Sequence, residues 1–339
     1  MSRIALSADW HLASKVWSDI PESWGIPLKA LDSFLNSVSK KKVDAIIAAG
    51  DIFDSRSPGS YAVTEAQDLI NMFKHSVFNT AGNKDNIFAI YGNHDRPFKN
   101  EPSWNKCIGI KDLVLSEQIG ITKVLGIPFT KDTNGLIDLL KDIKENIQDL
   151  DLLVLHSPFR HLLGFDDSWQ LQRRDVEGVA PVVLVGDIHT PDIDEKEGGT
   201  TIVSPGSLYP TSIDKIGKPH GWYLWDTEDN TFEFVELPEL MVVARGIEEA
   251  RKQIDKNEEK LICVIAPKEH EGAVKELSSS KDVPLAFFSE ASVVVQDMDI
   301  KEISSKVKKT KLADALPLVV DKKKEPEVYK RLKMDLNYG

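Results

Sequence analysis

The chain has 339 residues, a formal net charge of −12 at pH 7 and 41% hydrophobic residues. This length allows two domains with a sizeable core, and the absence of any apolar run of about 18 residues excludes a typical membrane-spanning helix. The N-terminus carries no signal-peptide pattern, and the two cysteines fit no metal or disulfide motif. We therefore expect a cytoplasmic enzyme with free thiols that does not associate with membranes.

Three short apolar segments in the first hundred residues end in polar side chains. The segments are residues 3–8, 43–49 and 86–91, and each has the length and composition of a β-strand. The polar residues that follow them are Asp9, His11, Asp51, Asp54, Asn93, His94 and Asp95. Three such endings close together in the sequence suggest one site.

The segments between these strands predict helices. Residues 26–42 and 62–73 carry apolar side chains at helical spacing, so the region is predicted to form a βαβαβ unit. Crossovers of this kind are almost always right-handed, and the strands are then parallel. Their carboxyl ends meet at one edge of the sheet, where ligands of open α/β sheets bind.

Two later segments repeat this pattern. Residues 152–155 run into His156, and residues 181–185 run into Gly186, Asp187 and His189. Carboxylate, imidazole and amide oxygen together are ligands for divalent ions such as Mn²⁺, Mg²⁺, Fe²⁺ or Zn²⁺. No cysteine lies in these turns, which argues against a structural zinc site.

The motifs resemble those of the calcineurin-like metallophosphoesterases. They occur in the family order: Asp9-x-His11, Gly50-Asp51-x-x-Asp54, Gly92-Asn93-His94-Asp95, His156 and Gly186-x-x-His189. The Gly-Asp-Ile-Phe-Asp form of the second motif and the run Ser204–Ser212 are similar to SbcD-type nuclease subunits, including those of large bacteriophages. The resemblance implies an α/β fold, namely an α/β/β/α sandwich with a smaller α/β capping domain.

The resemblance also implies a site with two divalent metal ions. One would be held by Asp9, His11, Asp51 and His189, and the other by Asp51, Asn93, His156 and Asp187. Asp51 would bridge ions about 3.5–4 Å apart, a spacing suited to displacement at phosphorus. Manganese is favoured, with magnesium as the alternative. His94 would stabilise the transition state or protonate the leaving oxygen, Asp95 would orient His94, and Asp54 would lie behind the metals.

One position departs from the family pattern, in which a histidine usually stands at 187. A carboxylate there predicts tighter binding of Mg²⁺ or Mn²⁺ and a less acidic bound water, because anionic oxygen favours hard ions and donates charge to them. The alternative is that Asp187 binds its ion through a water and that the second site is weaker.

The acidic net charge lacks the basic signature of a DNA-binding chain. Basic residues near the predicted rim could nevertheless contact a phosphate backbone, and a solvated surface is the alternative for each of them. They are Arg56, Arg96, Arg160, Arg173, Arg174, Lys215 and Lys218. Ser207, in the run Ser204–Ser212, is a further expected DNA contact. We expect weak DNA binding by this chain alone.

The sequence predicts three regions. Residues 1–237 would form the nuclease domain, 238–320 a capping and DNA-binding domain, and 321–339 a basic helix. The apolar stripe of this helix suits either a partner or its own domain. The resemblance favours docking to an SbcC-like coiled-coil ATPase, with a homodimer inside a heterotetramer. No P-loop motif appears, so ATP use would belong to that partner.

The predicted function is a metal-dependent DNA phosphodiesterase. By resemblance, it would act as a double-strand exonuclease and single-strand endonuclease within an SbcCD-like recombination and repair complex. A phosphatase or small-molecule phosphodiesterase on the same core is the main alternative. A scaffold without catalytic activity is a third, and the apparently complete ligand set weighs against it.

Overall fold

The computed structural model describes residues 2–14, 23–81, 86–98, 103–113, 116–163, 170–197, 199–257, 259–281 and 283–290. The chain divides into two units, one of Met1–Thr211 with Lys218–Leu240 and one of Ser212–Gly217 with Met241–Gly339. Among the described helices, none is long and apolar enough to cross a bilayer.

The strands of the described chain are numbered in order. β1 to β8 are Arg3–Ser7, Ala45–Ala48, Ile87–Ala89, Lys111–Asp112, Ser116–Ile119, Thr122–Ile127, Leu152–His156 and Val182–Gly186. β9 to β15 are Asp192–Asp194, Thr201–Ser204, Gly221–Asp226, Thr231–Glu236, Met241–Arg245, Leu261–Ala266 and Leu285–Ser289. The helices α1 to α8 are Ile26–Lys41, Ser60–Ala81, Trp104–Cys107, Thr133–Asn146, Arg160–Leu163, Arg173–Val176, Ile247–Ile254 and Glu271–Lys281.

The first sheet has the order β12-β11-β1-β2-β3-β4. β1, β2 and β3 pair in parallel, as the βαβαβ pattern predicts, with Ile4 opposite Ala45 and Ile46 opposite Ile87. β11 and β12 form a hairpin, which is predicted by the strand-like runs at 222–226 and 231–235 and the turn residues 227–230, and β11 pairs antiparallel with β1. The carboxyl ends of β1 to β3 therefore lie along one edge.

The second sheet has the order β5-β6-β7-β8-β10-β9. Its central strands β6, β7, β8 and β10 are parallel, and β7 pairs with β8 so that His156 lies opposite Gly186. β7 and β8 are buried along their whole length, as expected for strands covered on both faces. Residue 156 and the turn after β8 thus come to the same edge of this sheet.

The two sheets pack face to face through an apolar core. Ile47 and Phe88 of the first sheet belong to one buried cluster with Val154 and Leu184 of the second. α1 covers the outer face of the first sheet, where Phe34 packs against Trp222 with ring centres 6.0 Å apart. On the other side, α4 and α6 bury apolar residues against β7 and β8. The predicted α/β/β/α sandwich is confirmed.

The second unit contains a three-stranded parallel sheet in the order β13-β14-β15. α7 and α8 bury Ala250, Ile254, Val274 and Leu277 in one cluster with residues of these strands. The sequence pattern predicts helices over residues 246–255 and 272–279 and strands over 261–266 and 285–288, which agree with α7, α8, β14 and β15, but it does not predict β13. The sequence also predicts a strand over residues 292–296 and a helix over 300–311; these and the basic helix within 321–339 lie outside the described residues.

Candidate metal centre

The polar residues that follow β1, β2 and β8 have unusual backbone conformations. Asp9, His11, Asp51 and Asp187 have φ values of 51°, 42°, 51° and 79°. A non-glycine residue in this left-handed region is uncommon and costs roughly 1 kcal/mol or more. These turns project side chains into the site instead of continuing the strand direction, so strain is concentrated where the predicted ligands lie.

One group of ligand atoms brings together the turns after β1 and β8. Atoms of Asp9, His11 and His189 lie within 4.8 Å of one another. The Nε2 atoms of His11 and His189 are 3.1 Å apart. The Nδ1 atoms face Asp54 Oδ1 at 2.9 Å and Thr211 Oγ1 at 2.8 Å, so Nδ1–H donation leaves both Nε2 lone pairs directed at one point. A cation placed between the two Nε2 atoms would accept both lone pairs.

A second group surrounds His156. Its Nδ1 lies 2.7 Å from the carbonyl oxygen of Ala49, and donation there leaves the Nε2 lone pair for the site. This Nε2 lies 2.9 Å from Asn93 Oδ1, 3.4 Å from Asp51 Oδ2 and 3.7 Å from Asp187 Oδ1. When His156 is neutral, these lone pairs converge with no hydrogen between them, which is the arrangement expected around a metal ion.

Two buried carboxylate oxygens among the described residues lack a hydrogen-bond partner, which indicates whether the site suits a cation. Oδ2 of Asp9 and Oδ2 of Asp51 have no hydrogen-bond partner. Their other oxygens accept hydrogen bonds, Asp9 Oδ1 from the amide of Asp187 and Asp51 Oδ1 from the amide of His94, both at 3.0 Å. Buried polar atoms are nearly always satisfied, so these oxygens are suited to bound cations. Asp51 Oδ2 is 3.8 Å from His11 Nε2 and reaches both groups.

Two glycines make room for this arrangement. A Cβ atom at Gly50, which has φ of +90°, would lie 2.6 Å from His156 Nδ1. A Cβ atom at Gly92 would overlap the Asp51 carboxylate. The motifs therefore need glycine at these positions so that the backbone can approach the ligands closely.

The electrostatics of the site also favour a cation. Burial raises the pKa of the Asp9 carboxyl to about 7, although His156 opposes this effect. Burial alone would lower the pKa of His156, but Asp51, Asp9 and Asp187 outweigh it and raise the pKa to about 10. Protons and divalent ions therefore compete for the same oxygens and nitrogens.

The position of His94 corrects one sequence-based assignment. Asp95, expected to orient His94, instead accepts backbone hydrogen bonds from Gly92 and Ile52 and so ties two ligand turns together. His94 Nδ1 faces Asp54, 3.4 Å from its Oδ1 and 3.3 Å from its backbone oxygen. Asp54 thus contacts both His11 and His94, and it is the carboxylate placed to orient them.

Some of the expected DNA contacts are exposed, whereas others are bound within the fold. Arg56, Arg96 and Arg160 are exposed. Ser207 is completely buried, and its hydroxyl donates to the carbonyl oxygen of Tyr209, which stabilises its own loop rather than facing a ligand. Arg173 is bound to Asp194 and to the backbone of Thr200, so it also has a structural role. Neither Ser207 nor Arg173 is retained as a DNA contact.

Comparison with known proteins agrees with this geometry. The family model for calcineurin-like phosphoesterases matches residues 2–191, more than half of the chain. The chain belongs to the calcineurin-like phosphoesterase family. This family uses divalent metal ions, and the residues gathered at the end of β7 and after β1, β2, β3 and β8 provide suitable ligands.

Several members of the family are similar to this chain in sequence. The SbcD component of the SbcCD nuclease from Escherichia coli is 39% identical over 93 residues, which is 27% of this chain and 21% of that protein. The DNA double-strand break repair protein Mre11 of Saccharolobus solfataricus is 26% identical over 218 residues, covering 61% of this chain and 54% of its own length. The Mre11 protein of Sulfurisphaera tokodaii is 25% identical over 184 residues, covering 50% and 44%. The chain thus spans between about a fifth and about half of these relatives.

Three contacts that support the site could not be found from the sequence. They are the carbonyl oxygen of Ala49 at His156, the hydroxyl of Thr211 at His189, and the hydroxyl of Tyr209, which donates to the backbone oxygen of His11 at 2.9 Å. A carbonyl carries no residue-type signal, and a threonine or tyrosine in a loop has many uses. Only the folded chain shows that the first two atoms orient imidazole rings and that the third holds the backbone of His11.

Asp54→Asn is expected to weaken metal binding. The substitution keeps the shape of the side chain but removes the negative charge that the His11 ring faces at 2.9 Å. Loss of such a partner typically lowers metal affinity about 10–100-fold. Calorimetric titration with Mn²⁺ measures the change. Asp132→Asn is the matched control because Asp132 caps α4, where asparagine serves equally well. Equal affinity in both variants would contradict the role given to Asp54.

Asp187→His is expected to change the metal preference. The carboxylate Oδ1 lies 3.7 Å from His156 Nε2, and its replacement by imidazole removes a hard oxygen donor. Affinity for Mg²⁺ should fall more than affinity for Mn²⁺, and half-maximal activity should move to lower pH. Titrations with both metals and pH–rate profiles of both proteins measure these effects. An unchanged preference would support binding of Asp187 through a water.

Proposed function

We propose that this protein is a metal-dependent phosphodiesterase that cleaves DNA. The observation that carries the proposal is the pair of ligand groups that share Asp51, whose Oδ2 has no hydrogen-bond partner and reaches both. A bridging carboxylate of this kind suits two cations, the arrangement used for in-line displacement at phosphorus. The similarity to SbcD and Mre11 proteins supports DNA as the substrate.

The proposed function assigns metal binding to seven residues and proton donation to His94. Asp9, His11, Asp51 and His189 would hold one ion, and Asp51, Asn93, His156 and Asp187 the other. Bound divalent ions, Mn²⁺ or Mg²⁺, would polarise the phosphate and supply a nucleophilic water at neutral pH. His94 has a side chain that is 42% exposed, with Nε2 4.0 Å from Asp51 Oδ2. Its ring can therefore reach a substrate oxygen and donate a proton, while Asp54 holds its other nitrogen.

A small-molecule phosphodiesterase or phosphatase is the second candidate, because the same metal core can serve it. The exposed arginines Arg56, Arg96 and Arg160 favour a longer anionic substrate, since guanidinium groups bind phosphates along a backbone. A scaffold without activity is disfavoured by the complete set of converging ligands and by the strain stored at Asp9, His11, Asp51 and Asp187.

The proposal extends to partners. In an SbcCD-like complex this chain would supply the nuclease activity, and a coiled-coil ATPase would supply ATP hydrolysis and further DNA binding. A homodimer of this chain within a heterotetramer, a capping role for the second unit and a cytoplasmic location belong to the same proposal. The net charge of −12 supports the need for a partner in DNA binding.

A comparison of substrates tests the proposed function. The purified chain would be incubated with Mn²⁺ or Mg²⁺ and offered labelled single-stranded DNA, labelled double-stranded DNA and a chromogenic phosphodiester. Cleavage of DNA that stops with a chelator supports the proposal. Cleavage of the small ester alone, with the ATPase partner present, would favour the second candidate.

A further inference from the structure

An arginine and a phenylalanine form an exposed pair in the first unit. The guanidinium carbon of Arg56 lies 5.6 Å from the centre of the Phe98 ring, within the range of a cation–π contact. Phe98 is 47% exposed and Arg56 is exposed. The pair therefore presents a flat apolar ring and a positive charge to solvent at the same place.

The pair is connected to His94 from both sides. Arg56 follows Asp54 by two residues, and Asp54 contacts the His94 ring through its backbone oxygen at 3.3 Å. Phe98 follows His94 by four residues. Four residues of chain span at most about 14 Å, so the pair lies within a few nucleotide steps of the reacting phosphate.

A third residue fixes this position. The indole Nε1 of Trp104, at the start of α3, donates a hydrogen bond of 2.8 Å to the backbone oxygen of Arg56. The chain that carries the arginine is thereby held before any ligand arrives. A surface positioned in advance loses less conformational entropy on binding than a loop that must order.

We propose that Phe98 and Arg56 form a stacking platform for a nucleobase next to the scissile phosphate. Aromatic side chains stack on bases of any sequence, and an arginine plane can stack on a base or contact the adjoining phosphate. Such stacking requires a base with one open face, as in a single strand or at a frayed end. This inference rests on the proposed function and specifies the form of DNA that the site accepts.

Two small esters with the same leaving group isolate the contribution of the base. They are thymidine 5′-(4-nitrophenyl phosphate) and methyl 4-nitrophenyl phosphate, both assayed with the full chain at saturating Mn²⁺. The ratio of kcat/KM for the nucleoside ester to kcat/KM for the methyl ester should fall about 10-fold in Phe98→Leu, as expected for loss of one stack. Leucine keeps an apolar side chain, and Phe98→Trp should restore the ratio.

The control is Ile121→Ala, which alters an exposed apolar residue in the turn between β5 and β6 and should keep the wild-type ratio. An unchanged ratio in Phe98→Leu, with DNA still cleaved by the wild type, would overturn the platform alone. If the wild type cleaved neither DNA nor the nucleoside ester, the proposed function would be overturned, and the platform with it. Circular dichroism of each variant verifies that the chain is folded.

Discussion

Replacing Asp51 with asparagine should abolish both turnover and stabilisation by metal ions. Asp51 Oδ2 lies 3.8 Å from His11 Nε2 and 3.4 Å from His156 Nε2, so one carboxylate oxygen is close to both ligand groups. Asparagine can still accept the His94 amide but brings no charge to the bridge. Loss of several kcal/mol of transition-state stabilisation corresponds to a decrease of about 10³-fold or more in turnover.

The stabilising effect of the metals gives an independent measurement. One ion at 100 times its Kd stabilises the folded chain by about 2.7 kcal/mol, which raises Tm by roughly 5–10 °C for a unit of this size. We expect Mn²⁺ to cause such a shift in the wild type and most of it to disappear in Asp51→Asn. Differential scanning calorimetry with Mn²⁺ and with chelator measures it.

The matched control for this substitution is Asp138→Asn. Asp138 lies on α4, its side chain is 74% exposed, and its ion pair with Lys141 at 3.0 Å contributes little to stability because it is solvated. This variant should keep both the activity and the metal-dependent shift. If Asp51→Asn kept the full shift, the two ligand groups would not share this carboxylate and the assigned centre would be wrong.

The strand-end motifs show what the sequence could predict. Arg3–Ser7 is apolar in its middle and Ala45–Ala48 throughout, and each is followed within a few residues by a carboxylate. Parallel pairing then places Asp9 and Asp51 at the same edge whatever the details of the loops. The convergence of ligands follows from this simple topological rule, so it could be predicted before any coordinates were known.

The direction of individual side chains could not be predicted in this way. Asp95 lies next to His94 in sequence, yet the turn directs it back to the amides of Gly92 and Ile52. The contact of Asp54 with His94 joins residues 40 positions apart, and a local motif contains no information about such a distance. The side chains of the neighbours His94 and Asp95 therefore point in different directions, whereas Asp54 and His94, which are far apart in sequence, are in contact.

The loop after β10 shows a second limit. Serine, proline and glycine at 204–207 have the composition of an exposed loop, and Ser207 was expected to face a phosphate. In the structure Ser207 is buried, and its hydroxyl donates to the carbonyl oxygen of Tyr209. Composition identifies a loop, but it does not indicate whether a given hydroxyl serves the loop or a ligand.

Replacing His94 with glutamine should remove turnover while leaving the metals bound. The His94 side chain is 42% exposed, and its ring contacts Asp54 rather than the convergent Nε2 atoms of the two ligand groups. Loss of a positioned proton donor typically lowers kcat by about 10²–10⁴-fold. We expect Mn²⁺ affinity, measured by calorimetry, to stay close to that of the wild type.

This prediction separates proton transfer from metal binding. His94, Asp54 and His11 could also be considered a third ligand group, since their atoms lie within 4.8 Å of one another. Asp54 accepts from His11 Nδ1, however, and that nitrogen cannot donate a hydrogen bond and bind a metal at once. A loss of one bound Mn²⁺ in His94→Gln would show that His94 is a ligand. The control is His270→Gln, at an exposed histidine of the second unit, which should change neither kcat nor the number of bound Mn²⁺ ions. Retained metal with lost turnover is the combination expected of a residue that donates a proton or stabilises the transition state beside the metals, and not of a metal ligand.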